Sequence, residues 1–187
     1  MTTCHSLMAI IEELKSDAQL IERQSVDRLA QLVHSASRVF VAGAGRSGFA
    51  ARAFANRLMH LGYSVFFVGE PTTPSIRQGD LLVIGSGSGE TASLVSMAKK
   101  AKAEGANIAT LTIYPDHSIG KMASVSIRIP GVTKKSTEGS GKASSVQPSG
   151  SSFEQLSWLI YDSIIVDLKA LSGQNDDQMY YRHANLE

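Results

Sequence analysis

Asp80-Leu81-Leu82-Val83-Ile84-Gly85-Ser86-Gly87-Ser88-Gly89-Glu90-Thr91 runs a short apolar strand into a loop of glycines and hydroxyls. Apolar residues at helical spacing follow at Leu94, Val95, Ala98 and Ala101, and Gly105 closes them. A strand, a glycine loop and a helix N-terminus in that order make an anion site. The first N–H groups of the helix lack partners, its dipole is positive there, and glycine lets the backbone close around an oxyanion. Ser86, Ser88 and Thr91 add three hydroxyls within six residues, each able to donate to a phosphate oxygen. The plainer reading is a turn in which Ser88 or Thr91 caps the helix. Ser86, Gly87, Ser88, Gly89, Glu90 and Thr91 are the phosphate-binding candidates of this loop.

Upstream, Arg38 to Ala42 reads as a buried strand. Gly43-Ala44-Gly45-Arg46-Ser47-Gly48 follows, then Phe49, Ala50, Ala53, Phe54, Leu58, Met59 and Leu61 at helical spacing, with Gly62 as C-cap. Ser64 to Val68 is a second strand and Leu81 to Ile84 the third. Downstream, Asn107 to Ile113 is a fourth, Ser118 to Met122 a single helical turn, and Val125 to Ile129 a fifth. Strands alternating with helices predict an α/β fold, a doubly wound five-stranded parallel sheet with flanking helices.

Two amphipathic helices precede the sheet, one from Ser6 to Arg23 and one starting at Ser25 as N-cap. Residues 131–150 are Ser-, Gly- and Lys-rich, the composition of a functional or disordered loop, and Lys134, Lys135 and Lys142 lie in it. Ser149 is the expected cap of a last, unusually apolar helix carrying Phe153, Leu156, Trp158, Tyr161 and Ile164. The tail from Ser172 to Glu187 is polar and unpatterned. One domain is expected over 1–187: N-terminal helices at about 4–36, an α/β core at about 38–130, a mobile loop at about 131–148, and a C-terminal helix and tail at about 149–187.

Composition limits the function. The chain has 187 residues, 43% hydrophobic and 19% charged, so it folds around a core rather than staying disordered. A net charge of +1 supports neither nucleic-acid nor membrane binding by bulk electrostatics, so any anion site is local. No apolar run approaches the roughly 20 residues of a membrane helix. The single cysteine, Cys4, and the absence of a signal-like start fit the cytoplasm. No His/Cys/Asp cluster has metal-ligand spacing, and neither a metal nor an organic cofactor is expected.

The first glycine loop carries a trap. Gly43-Ala44-Gly45-Arg46-Ser47-Gly48 fits G-x-G-x-x-G after a strand and before a helix, and Glu70 follows the second strand where a ribose-binding acid would sit. Alone this reads as a dinucleotide-dependent oxidoreductase. The chain leaves little room for a separate substrate domain, however, and the Gly85–Thr91 loop supplies a second cradle. Two neighbouring cradles suit one phosphate held from two sides, with Gly45, Arg46 and Ser47 on one wall.

The pair Gly-Ala-Gly-Arg-Ser-Gly and Ser-Gly-Ser-Gly-Glu-Thr resembles the sugar isomerase (SIS) domain family. Gln147-Pro148-x-Gly150-Ser151-x-Phe153-Glu154-Gln155 and the ending Arg182-His183-Ala184-Asn185-Leu186-Glu187 are similar to its 6-phospho-3-hexuloisomerase branch. The resemblance spans nearly the whole chain. It implies a flavodoxin-like three-layer sandwich and a phosphorylated sugar as substrate. The implied reaction interconverts D-arabino-hex-3-ulose 6-phosphate and fructose 6-phosphate, in the ribulose monophosphate route of formaldehyde fixation. A homotetramer, a dimer of dimers, is implied as well. Another phosphosugar isomerase and a non-catalytic phosphosugar-binding module are the alternatives.

Isomerisation needs a base that takes a proton beside the carbonyl and returns it to the neighbouring carbon, and donors for the enediolate oxygen. Glu154, in the first turn of the last long helix, matches the family's proton acceptor; the bland reading is a favourable first-turn acid. For His60, before Gly62, the resemblance implies a general acid for ring opening; the plainer reading is a helix-end cap. For His183, in the tail, the resemblance implies a role across a subunit interface. Asn56 could reach the sugar, Arg46 could neutralise phosphate, and Glu90 could serve the helix dipole. His5, His34 and His117 read as surface residues.

Overall fold

The computed structural model describes residues 4–131 and 145–186. Lys134, Lys135 and Lys142 lie outside the described residues, as does most of the expected loop at 131–148. The chain opens with α1 (His5–Ala18) and α2 (Arg23–Ser35), then β1 (Val39–Gly43), α3 (Gly45–His60) and β2 (Val65–Phe67). It continues through β3 (Leu81–Gly85), α4 (Ala92–Ala103), β4 (Asn107–Thr112), a 3-10 turn at Gly120–Met122 and β5 (Val125–Arg128). It ends with α5 (Ser151–Ser172) and α6 (Asp176–Tyr181).

All five strands are parallel, in the order β2-β1-β3-β4-β5. Strand residues alternate between two cores, so the strands read as continuous apolar runs. Val39, Val41, Leu81, Val83 and Leu111 face α2, α3 and α5. Phe40, Ala42, Leu82, Ile84 and Ile108 face α4. The expected doubly wound α/β sandwich is therefore the observed fold. In this strand order the chain reverses direction between β1 and β3, and a crevice opens at their carboxyl ends. The register aligns Gly43 with Gly85, so both glycine loops leave adjacent strands at one level.

Several boundaries move. Glu22, not Ser25, is the N-cap of α2, and Ser25 donates its hydroxyl to the Glu22 carboxylate. Gly150, not Ser149, stands at the N-cap of α5, at φ +92°. The tail is not featureless: Asn175 caps α6, accepting from the Gln178 N–H while the Gln178 side chain accepts from the Asn175 N–H. That reciprocal cap has a sequence signature, Asn followed three residues later by Gln. No other local sign marks α6, which has no buried residue and hence no apolar period.

The β1–α3 turn explains its glycines. A Cβ on Gly48 would sit 2.9 Å from the Gly43 carbonyl oxygen, and one on Gly43 would sit 2.9 Å from the Gly48 Cα. Backbone meets backbone, so no side chain can swing aside. Gly48→Ala is expected to destabilise by about 1–3 kcal/mol, lowering the melting temperature by about 2–12 °C. A calorimetric scan within 1 °C of wild type would refute the close-approach argument.

Candidate active site at the sheet's carboxyl edge

Three helices start at this edge without a side-chain cap. Their N-cap residues are Ala44 for α3, Thr91 for α4 and Gly150 for α5, and none makes a side-chain hydrogen bond to the N–H groups of its helix. Thr91 thus holds the N-cap position foreseen for it, with its hydroxyl not spent on the helix. Terminal N–H groups are left for water or an anion.

The second loop is held from outside. Ile113 N–H donates to the Gly87 carbonyl at 3.1 Å and Ile119 N–H to that of Gly89 at 3.2 Å. His117 Nδ1 lies 2.8 Å from the Ser88 carbonyl, and its ring stacks on Tyr114 with centroids 4.7 Å apart. His117 is half-buried and anchors the loop; it is not the free surface residue its sequence surroundings suggest. Only the fold brings it across, since it is 29 residues from Ser88. Glu90 precedes α4 and lies outside its first turn. Its carboxylate accepts from the Ser118 N–H and hydroxyl, both at 2.7 Å. Those bonds hold it below the usual carboxylate range, helped by His117 and Lys121. Within the loop, Glu90 N–H donates to Ser88 Oγ at 3.3 Å. Ser86 Oγ is buried and has no hydrogen-bond partner among the described residues.

Glu154 meets the loops from α5. Its carboxylate pairs with Arg46 Nε of the first loop. The Arg46 side chain is 66% exposed and that of Glu154 20%, so the pair closes the mouth of the crevice rather than its floor. The neighbouring Phe153 ring packs on Gly87, where a Cβ would lie 3.2 Å from it. Below, Tyr161 aims its hydroxyl at Gly85, 3.1 Å from where a Cβ would be, and stacks on Phe54 with centroids 4.5 Å apart. Full burial drives the Tyr161 phenol above its ordinary range. In the sequence neither Phe153 nor Tyr161 points to the site, because aromatics at helical spacing read as core. Beside the ion pair an apolar groove of about 530 Å³ opens between α1, α3 and α5, bordered by Leu7, Ile11, Phe49, Trp158 and Leu159.

His60 and His183 come together elsewhere. Their rings stack with centroids 3.9 Å apart and planes 16° from parallel, within one chain. His60 is buried; His183 is exposed. With Asn56, Arg57, Trp158 and Asp162 they line a cleft of about 270 Å³. His60 closes α3 while Arg46 opens it, so the helical rise puts them roughly 20 Å apart. Asn56 and His60 therefore lie away from the glycine loops of their own chain.

The dinucleotide reading loses its acid. Arg52 Nη1 lies 2.5 Å from Glu70 Oε1, and the Arg52 guanidinium sits 3.8 Å from the Phe67 ring centre, so α3 occupies the carboxylate meant for a ribose.

The SIS domain profile matches residues 32–157. The 3-hexulose-6-phosphate isomerase of Bacillus subtilis (strain 168) is 46% identical over 187 residues, covering 100% of both chains. That of Mycobacterium gastri is 38% identical over 183 residues, covering 98% of this chain and 90% of the relative. Among solved structures, a hypothetical protein of Methanococcus jannaschii, for which a molecular function of 3-hexulose-6-phosphate isomerase has been inferred, superposes with a TM-score of 0.77. It is 31% identical, with 98% of this chain and 96% of that one covered. No helix among the described residues is long and apolar enough to cross a membrane.

Proposed function

We infer, from the premise that the chain belongs to the SIS domain family and shares a phosphosugar isomerase role with its relatives, the reaction itself: interconversion of D-arabino-hex-3-ulose 6-phosphate and fructose 6-phosphate. One observation carries the mechanism. Glu154, the candidate base, is tied by Arg46 to one glycine loop, while its neighbour Phe153 packs on the other.

The phosphate binds between the loops, to the uncapped N–H groups of α3, α4 and α5 and to the Ser47, Ser86, Ser88 and Thr91 hydroxyls. The anchored sugar extends toward Glu154. The carboxylate removes the C2 proton of the hex-3-ulose, the electron pair forms the C2–C3 double bond, and the enediolate oxygen takes the charge. The same proton returns at C3, leaving the carbonyl at C2. Arg46 has further donors besides the Nε that holds Glu154, so it can serve the carboxylate and a developing oxyanion together.

Glu154 and His60 lie too far apart in one chain to share a substrate. We therefore assign proton transfer between the sugar oxygens, and opening of the fructose 6-phosphate ring in the reverse direction, to a His60 facing the glycine loops of a neighbouring copy. That requires an oligomer, and the homotetramer implied by the family resemblance supplies one. Substrate and relatives alike fit a cytoplasmic enzyme of formaldehyde fixation.

The test supplies purified protein with enzymatically made hex-3-ulose 6-phosphate and follows fructose 6-phosphate through a coupled assay. Product formation is expected, and its absence, with turnover of a pentose or heptose phosphate instead, would replace the substrate. Ser47→Ala and Ser86→Ala are each expected to raise KM tenfold or more, as a hydrogen bond to a charged group contributes about 1.5–3 kcal/mol. An unchanged KM in both would move the phosphate elsewhere.

A further inference from the structure

We propose that Arg182 and His183 are positioning residues for His60: the chain's own tail folds back and holds that imidazole uncharged and fixed for its acid–base role. The inference rests on the catalytic reading of His60 given above.

The clamp has two parts. Arg182 Nη1 donates to the His60 carbonyl at 3.0 Å, to Gln174 Oε1 at 2.9 Å and to the Gln178 carbonyl at 3.1 Å. It thereby caps the end of α3 and ties it to α6. Its guanidinium lies over Gly62, where a Cβ would come 3.2 Å from Arg182 Cζ. His183 then lays its ring flat on His60. His60 Nδ1 is buried with no hydrogen-bond partner among the described residues, so no carboxylate or carbonyl there favours the imidazolium.

The charged and titratable groups around His60 come from three elements: Arg57 on α3, Asp162 on α5, and Arg182 and His183 in the tail. Burial lowers the His60 titration most, followed by the charges of His183 and then Arg57. Asp162 is the one negative group among them, and it is exposed. An imidazole kept neutral at working pH can accept a proton from one sugar oxygen and deliver one to the other.

The experiment labels histidine with ¹⁵N and follows the His60 ring by NMR from pH 5 to 9, with His60→Gln to assign the signal. Wild type is compared with His183→Ala, His183→Phe and Arg182→Ala in the full chain. His183→Ala and Arg182→Ala uncover the ring and are expected to raise its midpoint toward the ordinary histidine value. His183→Phe keeps the stack and loses only the second charge, so it should retain most of the depression. In parallel, the acid limb of kcat/KM should move to higher pH in the two alanine variants and less in the phenylalanine one. A His60 midpoint equal in wild type and both alanine variants overturns the clamp, as does a shifted midpoint that the acid limb ignores. If wild type turns over no sugar phosphate, the reaction assigned above fails, while the NMR comparison still decides whether the tail governs His60.

Discussion

Glu154→Gln is expected to lower kcat for isomerisation by about 10²–10⁴-fold with little change in KM. Glutamine keeps the shape and still offers an oxygen to Arg46, but it cannot take the C2 proton. A loss in kcat alone marks an interaction made in the transition state and not in substrate binding. The competing view makes Glu154 a first-turn acid that only offsets the α5 dipole, a role worth about 0.3–1 kcal/mol of stability. The ion pair adds little more, since Arg46 is largely exposed and such pairs contribute about 0–1 kcal/mol. The two views therefore separate on one variant: near-wild-type stability with collapsed turnover supports the base. Turnover within about threefold of wild type would return Glu154 to its capping role.

Asp80→Ala is expected to cause the largest loss of stability, about 3 kcal/mol, or about 6–12 °C in melting temperature. The Asp80 side chain is 1% exposed and that of Arg38 20%. Arg38 donates to both Asp80 oxygens, at 3.0 and 2.6 Å, and the Arg77 N–H adds a third bond at 2.9 Å. Removing the acid leaves a largely buried guanidinium with the Ser75 carbonyl as its remaining hydrogen-bond acceptor among the described residues, beside the Phe40 ring. The pair joins the residues just before β1 and β3, the strands whose register sets the glycine loops side by side. Burial by itself would raise the Asp80 titration, but the bonds from Arg38 and Arg77 and their charges outweigh it, so the carboxyl titrates below its usual value. A depressed folded pKa contributes stability above the unfolded value, about 3.9, and loses it as pH falls through the folded one. Wild type should therefore lose stability below about pH 4 more steeply than Asp80→Ala. Urea titrations at pH 3 and pH 7 that show the same difference between the two proteins at both values would count against this assignment.

His117 shows why the loop's support was hidden while the loop itself was plain. Gly85–Thr91 announces itself by composition, because its glycines and hydroxyls lie in one contiguous stretch between a strand and a helix. The groups that brace it, His117, Ser118 and Ile119, come from the far side of β4 and resemble an ordinary connection. Arg46 and Glu154 each stand out in the sequence, yet nothing in their local surroundings pairs them across 108 positions. The tail misled for a different reason: α6 buries nothing, so no apolar period marks it, and its cap was the one local sign.

By itself the sequence determined the alternation of strands and helices, the two glycine loops, and the family, because periodicity, turn chemistry and short motifs are local properties of the chain. The tertiary structure decided which of those residues meet. Parallel register set Gly43 beside Gly85, helix packing brought Arg46 to Glu154, and the returning tail put His183 on His60 and away from the glycine loops. These are contacts between segments far apart in the chain, fixed by burial and packing that only the closed fold creates.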